Sequence, residues 1–305
     1  MAEKRVMTAG TLSKIRFILC GAAAMACASC ASHTGLTASN EQGRADSNEV
    51  KTATSSSAKA SFECPPGTEK VQRLPIYTRS AFALGCQRPG GTWEGPWREW
   101  YENGRLAASG QFENSAEEGL WCLWYINGQI WTQGAYRRGK KQGHWQTYYE
   151  NGLRLSAVEY ADGKLSGSWR EWYPSGVKQD EGSYRNDEKI GLWRRWYSNG
   201  RLESEGHYRG QTLLQPRNIR IPREVGRWVY YFENGNKRKE TAFNDEGYAN
   251  GLWRSWYENG QPASEEVYKN GVKNGRFRIW DERGALRKAG YYEKGKLVST
   301  NGRQE

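Results

Sequence analysis

The sequence predicts an all-β chain: an elongated, single-layer antiparallel sheet of eight tandem β-hairpin repeats. Three observations carry the prediction. A Gly-x-Trp motif returns eight times at near-constant spacing, six copies hold an Asn-Gly pair at the same place, and rings and glycine replace the usual aliphatics.

Composition sets the frame. The 305 residues include 15 Trp, 18 Tyr and 36 Gly, with a mean hydropathy of −0.92. Disordered chains are poor in aromatics, so these rings must be buried by a fold. Each ring removes a large area from water, and a thin structure can therefore hold without a thick aliphatic core. The formal charge of +11 favours anionic partners such as phospholipid headgroups, cell-wall polymers or nucleic acid, without choosing among them.

The period comes next. The pattern Gly-x-Trp-x-x-Trp-Tyr-x-Asn-Gly opens at Gly95, Gly119, Gly143, Gly167, Gly191, Gly226, Gly251 and Gly275, in steps of 24, 24, 24, 24, 35, 25 and 24 residues. A second aromatic follows fifteen residues after the first, from Phe112 and Tyr136 through to Tyr292. Such a period marks an array whose units bury their faces only against their neighbours.

Within each unit, Asn-Gly predicts a two-residue hairpin turn with both central residues at positive φ. It occurs at Asn103-Gly104, Asn127-Gly128, Asn151-Gly152, Asn199-Gly200, Asn234-Gly235 and Asn259-Gly260, with Ser175-Gly176 and Arg283-Gly284 in the other two. With the opening glycine as position 0, paired positions then sum to 17. Position 2, the first aromatic, faces a glycine in five repeats (Gly110, Gly134, Gly182, Gly206 and Gly290), so its ring should lie over that glycine. Position 3 faces position 14, pairing Arg170 with Glu181, Arg194 with Glu205 and Arg254 with Glu265. Strand alternation gives one face the first and second aromatics and the position-6 Tyr, and the other face position 5 with the arginines.

This motif, with its later Gly-x-Tyr, resembles the bacterial variant of the MORN repeat family over about residues 91–298. The resemblance implies an elongated hairpin sheet that binds partners or membranes, with no catalytic residues to carry over. Some bacterial proteins with this variant are labelled antitoxins of toxin–antitoxin pairs, a cytoplasmic role.

The N-terminus carries an address. Lys14 and Arg16 precede an apolar run from Phe17 to Ala28, the pattern of a secretory signal. Met7 is an alternative start to Met1. The segment resembles a lipobox in two frames, with the lipid on Cys30 or alternatively Cys27, which implies an outer-membrane lipoprotein. Residues 1–30 are thus the signal. Residues 31–63 form a tether, with 17 of 33 positions Ser, Thr or Ala. In an oxidising compartment Cys64 and Cys86 form a disulfide that closes a cap over 64–92, leaving Cys122 as an odd thiol. The array spans 93–298, with an insertion at 210–225 and a tail at 299–305.

No phosphate loop, metal cluster or nucleophile–base pair stands out, so no enzyme and no cofactor is expected. His144 and His207 read as exposed. The candidate binding surface is the Trp–Arg face: Arg98, Trp100, Trp124, Trp172, Trp196, Trp256, Arg278 and Trp280. Cations beside indoles suit sugars, bases or phosphate, although packing and ion pairing account for the same residues. Arg98 and Arg278 face Ser109 and Ala289 and are the freer cations. The insertion, with Arg217, Arg220 and Arg223, is a candidate binding loop. The expected function is a lipid-anchored scaffold for protein or envelope-polymer (glycan) binding. The alternatives are a basic membrane-surface module or an antitoxin-like protein, and nucleic acid is an unlikely partner for an exported chain.

Overall fold

The computed structural model describes residues 62–214 and 219–302. The signal segment, Cys27, Cys30, Arg217 and all of the tether before Phe62 lie outside the described residues. Nineteen strands follow in chain order. They are β1 (Glu69–Arg73), β2 (Phe82–Gln87), β3 (Trp93–Trp100), β4 (Leu106–Glu113), β5 (Ala116–Trp124) and β6 (Ile130–Arg137). Next come β7 (Lys140–Tyr148), β8 (Arg154–Ala161), β9 (Lys164–Trp172), β10 (Lys178–Arg185), β11 (Glu188–Trp196), β12 (Leu202–Leu214) and β13 (Ile219–Tyr231). Last are β14 (Lys237–Phe243), β15 (Gly251–Trp256), β16 (Pro262–Lys269), β17 (Val272–Trp280), β18 (Leu286–Glu293) and β19 (Lys296–Gly302). Each pairs antiparallel with its chain neighbours, so consecutive hairpins make one sheet. Strand β19 runs four residues beyond the expected array boundary at 298.

The predicted register holds away from the turns: Gly167 faces Tyr184, Trp169 faces Gly182 and Arg170 faces Glu181. It fails next to the turns. Gly104 N donates to Tyr101 O at 2.9 Å and Tyr101 N to Arg105 O at 2.9 Å. The loop is therefore three residues, Glu102-Asn103-Gly104, in which Gly104 takes φ +78° and Asn103 stays out of the positive-φ region. A three-residue loop with glycine in the left-handed position is the other common hairpin solution. It shifts the last pair to Trp100 opposite Leu106, and a bulge between Glu99 and Trp100 restores the predicted pairing.

Asparagine has a different task from the predicted one. Asn103 Oδ1 accepts from Arg105 N at 3.0 Å, and Nδ2 reaches Ile126 O of the next turn at 3.4 Å. The same reach recurs from Asn127, Asn151, Asn199, Asn234 and Asn259, at 2.8–3.2 Å. Position 6 adds a second stitch. The hydroxyls of Tyr101, Tyr125, Tyr149, Tyr173, Tyr197 and Tyr257 each donate to a backbone carbonyl of the next repeat at 2.6–2.9 Å. Each repeat thus fastens the turn of its successor.

The predicted aromatic layer is present, with rings meeting edge to face. Trp97, Phe112, Trp121, Tyr136, Trp145 and Tyr160 follow at centroid distances of 5.0–6.3 Å. Tyr184, Trp193, Tyr208 and Trp228 continue the ladder. One expectation is corrected. The rings do not cover the glycine of their own hairpin but that of the preceding one. A Cβ on Gly110 would sit 2.1 Å from Trp121, on Gly134 2.2 Å from Trp145, and on Gly182 2.2 Å from Trp193. Only in the last repeat does Phe277 lie over its own partner, Gly290. The indoles lean across the junction between hairpins, and that is where neighbouring repeats bury area against each other.

The cap is two further strands of the same sheet. Strand β1 pairs with β2, and β2 with β3, and Cys64 and Cys86 form the expected disulfide. Phe62, expected in the tether, is buried beside Cys86 and Trp100, so the ordered cap begins before 64. Cys122 is fully buried.

Candidate functional site

The Trp–Arg face is largely committed to the sheet itself. Trp100 is fully buried and stacks on Phe82 at 5.1 Å, and Trp124 is also buried, so neither offers a free ring. Trp172, Trp196, Trp256 and Trp280 are half-buried. Three of these indoles lie under cations of their own face: Arg154 over Trp172, Lys178 over Trp196 and Lys237 over Trp256, at 5.1–5.7 Å. The predicted ion pairs form: Arg170–Glu181 at 3.8 Å, Arg194–Glu205 at 3.3 Å and Arg254–Glu265 at 3.2 Å. The Lys178 hydrogen bond holds the Glu181 carboxyl below the usual carboxylate range. The two cations expected to be freer are engaged as well. Arg278 reaches Glu265 of the preceding hairpin at 3.5 Å, and the Arg98 guanidinium lies 5.6 Å from the Phe62 ring. Both do face Ser109 and Ala289 across their own hairpins, as expected. Their partners come from outside the hairpin, where in-hairpin register has no reach.

The described residues of the insertion are strand rather than loop: they lengthen β12 and β13, with Thr212 facing Ile221 and Leu214 facing Ile219. Arg220 lies within β13, and Arg223 Nη2 donates to Gln211 O at 3.0 Å. Exposed His144 stands beside Glu159 at 3.5 Å, and His207 is exposed.

The opposite, ladder face holds what the sequence reading missed. Position 4 shares this face with the first aromatic, and in three repeats it is charged: Glu99, Glu171 and Arg195. A charge on the ring-bearing parity was the available signal. Glu99 is fully buried and accepts from the backbone N–H of Ile76, Tyr77 and Thr78 at 2.6–3.0 Å. The Thr78 and Ser80 hydroxyls and Trp97 Nε1 complete its shell. A buried carboxylate is tolerable only when satisfied in this way. It fastens the Ile76–Ser80 segment onto the ladder. Tyr77 lies on Trp121 with centroids 4.6 Å apart, and its hydroxyl donates to Glu117 at 2.7 Å.

Further along, Arg195 grips the buried Asp180 with two bonds of 2.9 and 3.0 Å. Burial, then the Asp180 charge, pushes the Glu171 carboxyl up. Burial likewise raises Glu224 and lowers the ammonium groups of Lys141 and Lys189. Burial and the Glu224 carboxylate push the Tyr208 hydroxyl up to about 12. Lys189 sits 3.9 Å from the Trp193 ring and Lys141 4.2 Å from Trp145. The face is thus an aromatic floor set with half-buried charges of both signs. Among the described residues no His, Cys, Asp and Glu side chains group as metal ligands.

A family model described as "MORN repeat variant" matches residues 93–114, 165–186, 189–209, 224–245 and 249–270. These are MORN-variant repeats. The five matched units fall on five of the eight periods, and the stitches and ladder run through the unmatched periods too. None of the curated proteins matches the chain. Among solved structures, the Photorhabdus luminescens Tc holotoxin pore aligns at 14% identity over 72% of this chain and 12% of that one, with a TM-score of 0.18. The MORN-variant chain therefore spans about an eighth of that protein, and a likeness so slight carries no argument. The MORN-variant array is a repeat scaffold.

Proposed function

We propose that the chain is a non-catalytic, lipid-anchored envelope scaffold that holds a protein partner against the ladder face of its MORN-variant array. The observation that carries this reading is the chain's own Ile76–Ser80 segment lying on that face, held through backbone N–H groups and one ring. Half-buried charges and aromatic surfaces along the same face suit polypeptide recognition, with aromatic anchors surrounded by polar contacts. The apolar run of Phe17–Ala28, followed by small residues and cysteine, supports export and anchoring. Lipid labelling with cell fractionation tests the anchor, comparing wild type with Cys30→Ser and Cys27→Ser. The expected result is membrane-associated label that one substitution removes. An unlabelled, cytoplasmic chain would end the lipoprotein reading and return the antitoxin-like alternative to the front.

The charge of +11 supports a second reading, a basic module that meets anionic lipid. Salt-sensitive binding of the unlipidated chain to phosphatidylserine vesicles would favour it. A cross-linked protein partner that survives high salt would favour the first.

A further inference from the structure

Beyond the seated Tyr77 the ladder face opens into a cleft of about 290 Å³, lined among others by Tyr77, Trp121, Trp131, Tyr136, Lys141 and Trp145. We propose that this cleft is a subsite for an extended segment of a partner protein that carries an aromatic residue beside an acidic one, a proposal that rests on the scaffold reading above.

Three observations support it. The first is a template within the chain. Ile76–Ser80 enters the same face one repeat earlier, with backbone N–H groups on Glu99, a ring on Trp121 and a hydroxyl on Glu117. Tyr77 forms the wall where that segment ends and the cleft begins, so a second segment entering there meets continuous aromatic surface. Peptide chemistry is what the face already holds.

The second is Trp131. It is 38% exposed and lines both this cleft and the neighbouring one formed with Tyr101 and Tyr125. Its position within the repeat is held by no ring in the other seven units, where Ala107, Leu155, Gln179, Glu203, Arg238, Ala263 and Arg287 stand. Its ring tilts against Tyr125 with centroids 6.1 Å apart and still keeps an exposed surface on which a partner ring can stack.

The third is Lys141. Its ammonium lies over Trp145 and Tyr160 at 4.2 and 5.1 Å, and among the described residues no carboxylate pairs with it. Its counterpart two repeats on, Lys189, has Asp180 nearby. A half-buried cation without a counter-ion at the rim of an aromatic cleft selects an incoming carboxylate.

The test uses the mature full-length chain and fluorescein-labelled, end-blocked Gly-Ser decapeptides with a central Glu-Trp-Glu, Glu-Ser-Glu or Lys-Trp-Lys, read by anisotropy. Glu-Trp-Glu should bind at least about ten-fold tighter than either control, the fold-change expected of one ring contact or one charge pair. Trp131→Ala should abolish that advantage, and Lys141→Glu should reverse the charge preference toward Lys-Trp-Lys. If Trp131→Ala lowers the melting temperature, Lys141→Glu carries the decision. Equal binding of the three peptides, or a preference unchanged in both variants, overturns the proposal. So does Trp131-dependent binding of a chito-oligosaccharide or a phosphatidylserine vesicle in place of peptide. Should the peptides fail while a protein still cross-links to the array, the scaffold reading stands and only this subsite is lost.

Discussion

Glu99 fastens the Ile76–Ser80 part of the cap to the sheet. Its carboxylate is fully buried and receives three backbone and three side-chain bonds. Glu99→Ala removes the acceptor and strands those donors, at a cost of about 3 kcal/mol or more. Hydrogen exchange should then accelerate at the amides of Ile76, Tyr77 and Thr78 while the later repeats keep their protection. Glu171 holds the same position three repeats on. Burial and Asp180 raise its folded pKa, so its ionised form is penalised by folding. The penalty is absent below the ordinary carboxylate range and grows as pH rises through the folded pKa. Glu171→Gln should therefore raise the melting temperature at neutral pH, and the gain should vanish at low pH. At this scale the sequence was legible where both partners lay in one hairpin, as for Arg254 and Glu265. It was opaque where they lay in different hairpins, as for Arg278 with Glu265, because strand register does not say which way a long side chain leans.

The hairpin is the element, and two glycine positions within it separate two kinds of cost. Gly134 lies under the Trp145 indole, where an added Cβ would come within 2.2 Å of the ring. Gly134→Ala should cost about 2–3 kcal/mol through overpacking. Gly143 opens its repeat at φ +66° with no atom near an added Cβ, so Gly143→Ala should cost only about 1 kcal/mol of backbone strain. Paired urea melts of the two variants measure the difference. The hydroxyl stitch offers a milder test. Tyr125→Phe removes the bond to Tyr148 O and should cost about 1 kcal/mol, a loss the sixth repeat already carries with Phe232. Asn-Gly announced six of the eight turns, but the turn type was misread. A two-residue and a three-residue loop share that dipeptide, and Asn at the second loop position serves its neighbour's carbonyl rather than its own φ. The 11-residue insertion likewise read as a loop, because a strand extension outside the period has no repeat signature to identify it.

Across the whole array, stability is a sum over neighbouring repeats, and the weakest junction governs opening. Strands β14 and β15 share two register pairs, Lys239–Ser255 and Glu240–Arg254, with one isolated bridge from Phe243 to Ala249. Native-state hydrogen exchange should find the lowest opening energy there, splitting the array between the sixth and seventh repeats. The period revealed the sheet and its two faces. It did not reveal which face stays open, because composition made the Trp–Arg side look like the ligand surface while its cations are already satisfied within the sheet. The central claim is that the ladder face holds a protein partner. Site-specific photo-crosslinking in cells tests it most directly, with a benzophenone side chain placed at Trp131 on the ladder face or at Leu192 on the opposite face. A single protein adduct from position 131 and none from 192 is the predicted result. Adducts from 192 alone, equal yields from both, or none from either would contradict it.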